Sequence, residues 1–275
     1  MIVAKNESEN LKQNLPLFFS QLSEYLSLNV IDDYSNDDSI EYLSGLVCKN
    51  SEFSFFKNEF RPGKKHAISF GIKQFSADVI LFTDADCYPN SPKWGELMVS
   101  KFDDNTNFVL GYSPYLKGKG LLNKFIRFET FMTALQYFSY YLVKIPYMGV
   151  GRNMAIRKKV FTENGGYEKH IDIKSGSDDL LINEFGDYST IKIQTNPESF
   201  IFSIPKESYL QFLKQKARHI STSFKYKLHH KLLLGIYSSS HILVYVLFLT
   251  LIFTKYLLVV LLLMLLRYII IYDKF

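Results

Sequence analysis

The chain has 275 residues, a formal net charge of +5, 47% hydrophobic and 21% charged residues, and two cysteines. That balance excludes a disordered polymer, and the length can bury a core without disulfide or metal staples. Cys48 and Cys87 are too few for a disulfide framework and lack zinc-ligand spacing.

Residues 1–4 read as the end of a strand, short because it starts at Met1. Lys5, Glu7 and Glu9 interrupt any apolar run there, so no signal peptide is expected. Over residues 10–28, Leu11, Leu15, Phe18, Phe19, Leu22 and Leu26 recur near helical spacing and predict a helix. Residues 29–31 predict a short strand running into Asp32-Asp33-Tyr34-Ser35. A helix over 39–47, a strand over 53–56 and a helix over 64–75 follow. Residues 79–83 then predict a buried strand ending in Asp84-Ala85-Asp86. Strands alternating with helices imply an α/β fold with a mostly parallel sheet. Ligands of such sheets bind beyond the carboxyl ends of the strands, where both Asp clusters fall.

Side chains two apart on a strand point the same way, so Asp84 and Asp86 converge if the strand geometry persists. Two carboxylates at one spot favour a cation between them, and oxygen ligands favour Mg²⁺ or Mn²⁺ shared with substrate phosphates. The competing reading is a solvated turn in which Asp86 starts an Asx-turn before Tyr88-Pro89. Asp32-Asp33 offers acceptors for a base or ribose, while Asp37, Asp38 and Ser39 suit helix capping. Arg61-Pro62-Gly63-Lys64-Lys65 offers cations for phosphate or a solvated basic turn, and lacks P-loop spacing. The stripe Phe125, Phe128, Phe131, Met132, Leu135, Phe138 and Leu142 follows helical spacing. It suits a core helix or one lying on a bilayer and admitting a lipid acceptor.

Gly149-Val150-Gly151-Arg152-Asn153 lacks the third glycine of a dinucleotide fingerprint. Asp178-Asp179 opens a helix that ends before Gly186, where the helix dipole favours ionised carboxylates. Such a pair suits proton abstraction from a hydroxyl or plain N-capping. Gln215 and Arg218 share a helix face, and Arg218 suits a departing diphosphate or lipid headgroups.

From residue 201 onwards the chain carries ten Lys/Arg and two Asp/Glu, a net of +8, which leaves −3 for the rest. Its neighbours are apolar, so this basic stretch points to a membrane and not to nucleic acid. Residues 232–253 and 256–272 predict two spans joined by a tight turn near Thr254 and Lys255, the alternative being one span and a buried or interfacial helix. Lys206, Lys214, Lys216, Arg218, Lys225, Lys227 and Lys231 precede the first span, which places the body on the cytoplasmic side.

This ordered set resembles the signature of membrane-associated family 2 glycosyltransferases with the GT-A fold, over roughly residues 1–231. That signature is D, D-x-D, an acidic pair and Q-x-x-R-W. Here it reads Asp32-Asp33, Asp84-Ala85-Asp86, Asp178-Asp179 and Gln215-Lys216-Ala217-Arg218-His219, with His219 in place of tryptophan. Asn6-Glu7, Gly63-Lys64 and the segment 149–157 resemble further family positions. The resemblance implies a GT-A catalytic domain over 1–205, a basic juxtamembrane helix over 206–231 and two transmembrane helices over 232–275. It implies an inverting transfer from a nucleotide-diphosphate sugar, a UDP-sugar, to a lipid or glycan hydroxyl, at the cytoplasmic face of a bacterial inner membrane. Asp179, with Asp178, would be the general base. Asn6, Glu7, Asp32, Asp33, Lys64, Asp84, Arg152 and Asn153 would bind donor. Asp86 with Asp84 would hold Mg²⁺ or Mn²⁺, and Gln215, Arg218 and His219 would serve leaving group and acceptor.

Three other readings compete. A haloacid-dehalogenase-type phosphatase needs D-x-D-x-T, and Asp86 is followed by Cys87-Tyr88. A sugar-nucleotide pyrophosphorylase needs a Gly-rich N-terminal loop that is missing. A catalytically degenerate membrane scaffold would keep the fold without the activity.

Overall fold

The computed structural model describes residues 1–47 and 51–272, so Cys48 lies outside it. In chain order the elements are β1 (Ile2–Ala4), α1 (Ser8–Asn14), α2 (Pro16–Phe19), β2 (Leu28–Asp32), α3 (Ser39–Val47), β3 (Phe53–Lys57), α4 (Lys64–Gln74), β4 (Val79–Asp84), β5 (Cys87–Pro89) and α5 (Trp94–Val99). There follow β6 (Phe108–Gly111), α6 (Leu121–Leu142), β7 (Met154–Arg157), α7 (Lys158–Glu163), α8 (Asp179–Phe185), β8 (Ile191–Gln194), β9 (Ile201–Ser203), α9 (Tyr209–Ser223), α10 (Leu228–Leu251) and α11 (Leu257–Tyr272). The chain divides into two units, Met1–Tyr226 and Lys227–Phe275.

The first unit carries a seven-stranded sheet in the order β3-β2-β1-β4-β7-β6-β8. β3, β2, β1 and β4 run parallel. β7 is antiparallel to both neighbours, and β6 pairs with β8 in parallel. The sheet is therefore mixed, with one reversed strand that the alternation of strands and helices did not announce. Successive side chains alternate between its faces. Ile80 and Phe82 join Ile31, Phe70 and Leu181 on one face. Leu81 joins Val30, Leu43 and Trp94 on the other. Burying each such side chain contributes about 1.5–3 kcal/mol.

The helix expected over 10–28 stops early. Pro16 has no N–H and clashes with the preceding turn, so α1 ends at Asn14 and the chain restarts with Pro16 in the first position of α2. From Ser20 onwards it turns, and Ser23 bridges Leu26 before β2 begins. α9 belongs with the first unit because its side chains bond into it: Gln215 to Tyr115, and Thr222 to Asp179.

In the second unit, α10 has 24 residues and is the one helix among those described that is long and apolar enough to cross a membrane. At 1.5 Å per residue it is about 36 Å long, against about 30 Å of hydrocarbon. α11 has 16 residues and falls below the usual spanning range of about 17–25.

Candidate active site

The carboxyl ends of β1, β2 and β4 lie at one edge of the sheet, because β1 pairs in parallel with both neighbours. β7 runs the other way, so its start, with the short turn Gly151–Asn153 before it, reaches the same edge. Glu7, Asp32-Asp33, Asp84-Ala85-Asp86 and Arg152 therefore gather there from four separate stretches. A cleft lined by Lys64, Asp84, Gly151 and Ser177 opens among them.

Lys64, first residue of α4, pairs with Asp84 Oδ1 at 2.5 Å. Burial works against both charges. The pairing overcomes it, holding the lysine above and the carboxyl below their ordinary values, with Arg152 and Arg218 helping to lower Asp84. The Glu7 carboxyl is pushed up by burial first and then by Asp86 and Asp84, although Asn10 donates to it at 2.6 Å. Arg152 stacks on Tyr115, 4.5 Å from the ring centroid, and its Nη2 donates to the Ser113 carbonyl at 3.4 Å. Its Nη1 is buried without a hydrogen-bond partner. A buried cationic donor in that condition calls for an acceptor, and a phosphate oxygen fits.

The acidic pair divides its work. Asp178 accepts from the Gly151 amide at 2.7 Å. A Cβ at Gly151 would stand 3.1 Å from the Asp178 Cβ, so glycine permits that approach. Asp179 is only 8% exposed. Its Oδ1 accepts from the Leu180 amide at 2.9 Å, and its Oδ2 from Thr222 and Tyr226, both at 2.6 Å. Burial and then Asp178 push its carboxyl up to about 6, against the two hydroxyls that lower it.

α9 presents two faces. Phe212, Gln215, His219 and Thr222, with Tyr226 beyond the helix end, recur at spacings of three and four on one side. Gln215 donates to the Tyr115 hydroxyl at 3.1 Å, which ties this helix to the ring under Arg152. Arg218 acts on Asp84, and His219 feels Asp178. On the opposite side Leu210, Leu213, Ile220 and Phe224 are each 60% exposed or more.

Two residues expected at the donor site make internal contacts. Asn153 is fully buried and all of it is engaged: Nδ2 donates to the Tyr112 and Ser199 carbonyls at 2.8 Å, and Oδ1 accepts from Trp94 Nε1 at 2.9 Å. It is an internal strut. Asp33 is likewise buried. Its oxygens accept from the Gly63 amide and from Asn58 Nδ2 at 2.9 to 3.0 Å, so it anchors the loop that delivers Lys64. Asp32 stays closer to expectation, since Oδ2 accepts from the Ser35 amide at 3.2 Å while Oδ1 is buried without a partner. Asn6 sits at φ 54° and receives the Asn36 amide on its Oδ1 at 2.7 Å, shaping the loop above β1. Tyr115, Thr222 and Tyr226 had no signal of their own. The last two lie on the helical period that runs through Gln215 and His219.

Among the described residues no group of three or more His, Cys, Asp or Glu is arranged to cage a metal ion. Asp84 spends one oxygen on Lys64, and Asp86 accepts from the Cys87 thiol at 3.3 Å. The acidic donors suit a hard cation, but only one or two protein ligands are on offer. This fits Mg²⁺ or Mn²⁺ completed by phosphate and water.

Residues 1–165 match the family described as Glycosyl transferase family 2. The chain belongs to that family. Among curated relatives, poly-beta-1,6-N-acetyl-D-glucosamine synthase of Staphylococcus aureus is 24% identical over 148 residues, 49% of this chain and 36% of the relative. The enzyme of that name from Staphylococcus epidermidis is 31% identical over 86 residues, covering 31% of this chain and 21% of the relative. The matched stretch thus spans about a third of these relatives' length or less. Among solved structures, a mannosyltransferase from Pyrobaculum calidifontis in complex with GDP-Man and Mn²⁺ superposes with a TM-score of 0.64 at 16% identity, over 82% of this chain and 63% of that one. Staphylococcus aureus TarS in complex with UDP gives 0.54 at 14% identity, over 84% and 67%. At these identities the likeness establishes the GT-A fold that the family shares.

Proposed function

We propose that this family 2 glycosyltransferase moves a sugar from a UDP-sugar to a hydroxyl of a lipid or glycan acceptor at the cytoplasmic face of a membrane. The observation that carries the reading is the convergence at one sheet edge of the Lys64–Asp84 pair, the unsatisfied Arg152 and the Asp178-Asp179 pair, with Arg218 of α9 acting on the same carboxylate. The names of the Staphylococcus synthases favour a donor carrying N-acetylglucosamine.

Each residue has a task in that scheme. Lys64, Arg152 and Arg218 supply positive charge to the departing nucleoside diphosphate, each as a charge-assisted donor. Asp86 with Asp84 would hold Mg²⁺ or Mn²⁺, which neutralises diphosphate charge when bound. Asp179 takes the proton of the acceptor hydroxyl. That oxygen then bonds to the anomeric carbon as the carbon–oxygen bond to the diphosphate breaks, so the anomeric centre inverts. A base whose proton affinity lies near 6 is half-matched to neutral pH, which suits general-base work. Asp32 faces the nucleoside, and Gln215 and His219 line the acceptor side.

The membrane part of the proposal rests on α10 and on the outer face of α9. That face sets Leu210, Leu213, Ile220 and Phe224 toward solvent, flanked by Lys214 and Lys225. An amphipathic helix of this make-up lies in the headgroup region of anionic bilayers.

Purified full chain, titrated with UDP in the presence and absence of Mn²⁺, tests the donor half. Tight binding that weakens in Asp86→Asn supports the reading. Absence of any nucleotide binding would favour a scaffold without activity.

A further inference from the structure

The carboxylate of Asp179 has about four lone-pair sites in its ionised form. Three are in contact with donors: Leu180 N–H on Oδ1, and the hydroxyls of Thr222 and Tyr226 on Oδ2, the single Thr222 proton being shared with the His219 carbonyl at 2.7 Å. Both hydroxyl residues are buried, at 1% and 6% exposure; Thr222 comes from the last turn of α9 and Tyr226 from just beyond it, and neither from the loop that carries Asp179. The fourth site is on Oδ1. Above it stands Gly176, at φ +78°, where an added Cβ would lie 2.9 Å from Oδ1. A side chain there would crowd Oδ1; glycine avoids that.

We propose that Thr222 and Tyr226 are positioning residues for Asp179: they clamp Oδ2 and so leave Oδ1, beneath Gly176, as the oxygen that meets the acceptor hydroxyl. This rests on the reading of Asp179 as the base. The clamp also favours the ionised form, because a hydrogen bond to a charged group is stronger than one to a neutral group. The other charged and titratable groups around the site are Asp178 beside it, Lys65 of α4, Tyr167 ahead of α8, and Tyr147 behind Tyr226. His219 of α9 feels Asp178, and Lys216, Arg218 and Arg152 act on His219. None of these donates a hydrogen bond to Oδ2. Tyr226 is the last residue of the first unit, so the clamp ties the base to the segment that leads into α10.

The test needs no substrate in its first arm. Thermal unfolding of the full chain in detergent is followed at pH 5 and pH 8 for the native protein, Tyr226→Phe, Asp179→Asn and the double variant. Tyr226→Phe keeps the ring and removes only the hydroxyl. It is expected to cost about 5 °C more at pH 8, where Asp179 is ionised, than at pH 5, and to cost the same at both in the Asp179→Asn background. Thr222→Val should behave alike and Thr222→Ser should restore the native value, which keeps the test open if the tyrosine variant does not fold. An equal cost at both pH values in the native background overturns the clamp.

The second arm uses UDP-GlcNAc and membrane lipid extract. The acid limb of the transfer rate should move up by about one pH unit in Tyr226→Phe, with the rate recovering at high pH. A uniform loss at every pH would mark the hydroxyl as merely structural and overturn the proposal. If the unfolding cycle behaves as expected but Asp179→Asn still transfers sugar, then the base reading fails while the contact stands. The two failures are thus distinguishable.

Discussion

Truncation of Asn153 separates an internal strut from a donor ligand. Its side chain makes three hydrogen bonds, to Tyr112 O, Ser199 O and Trp94 Nε1, at 2.8 to 2.9 Å with no exposure. Asn153→Ala leaves the Ser199 carbonyl and the Trp94 indole buried without the partner described here, at about 1–3 kcal/mol each if neither finds water, while the Tyr112 carbonyl keeps the Ile201 amide at 3.4 Å. We take the low end, about 2 kcal/mol, because the neighbouring Gly111 carries no side chain and the gap can admit a solvent molecule. For a unit of this size that is a fall of about 4–8 °C in melting temperature. The assay is thermal unfolding of the purified chain, paired with UDP titration at a temperature well below the transition. The account predicts a large loss of stability with nucleotide affinity within about threefold of native, since each 1.4 kcal/mol is tenfold. A melting temperature within about 2 °C of native together with a collapse in affinity would return Asn153 to the donor site and refute the reasoning.

Other perturbations probe the remaining parts. Asp179 has its carboxyl raised from 3.8 to about 6, so its ionised form is disfavoured by folding. Stability linked to it is present below the unfolded value and lost as pH rises through about 6. Asp179→Asn should therefore melt at or above the native temperature at pH 8, by up to about 3 kcal/mol of stabilisation, while abolishing transfer; a variant less stable at pH 8 than at pH 5 relative to native contradicts this. Lys64→Met removes the partner of Asp84 and a phosphate donor. It should lower transfer by about 10²-fold or more. A loss under threefold in steady-state assays would count against its role. Leu213→Glu with Ile220→Glu places two charges on the outer face of α9. It should weaken flotation of Met1–Tyr226 with anionic vesicles while leaving UDP binding intact. Unchanged flotation would remove α9 from the bilayer.

Much of the scaffold was legible because periodicity and burial agreed. The helix over 39–47 has the expected bounds, and the apolar run from Val79 leads into Asp84 as the strand pattern required. What escaped was decided by tertiary pairing. Met154–Arg157 has only four residues and no alternation, and its reversed direction is set by partners on both sides, β4 and β6. Pro16 was a readable stop inside a periodic stretch, and the apolar spacing from Leu11 to Leu26 masked it. At the site, the residue types were informative and their orientations were not. Asp33 and Asn153 stand within the expected motifs yet point inward, because the Gly63 amide and the Trp94 indole reach them first. Tyr115 became visible only when the fold placed it between Arg152 and Gln215.

The central claim is that the carboxylates and cations at one sheet edge perform sugar transfer. Full-length chain in anionic vesicles, supplied with labelled UDP-GlcNAc, Mn²⁺ and membrane lipid extract, tests it by the label moved to an acceptor. The account predicts transfer by the native chain and loss of about 10²-fold or more in both Asp86→Asn and Asp179→Asn. Native rates in either variant would contradict it.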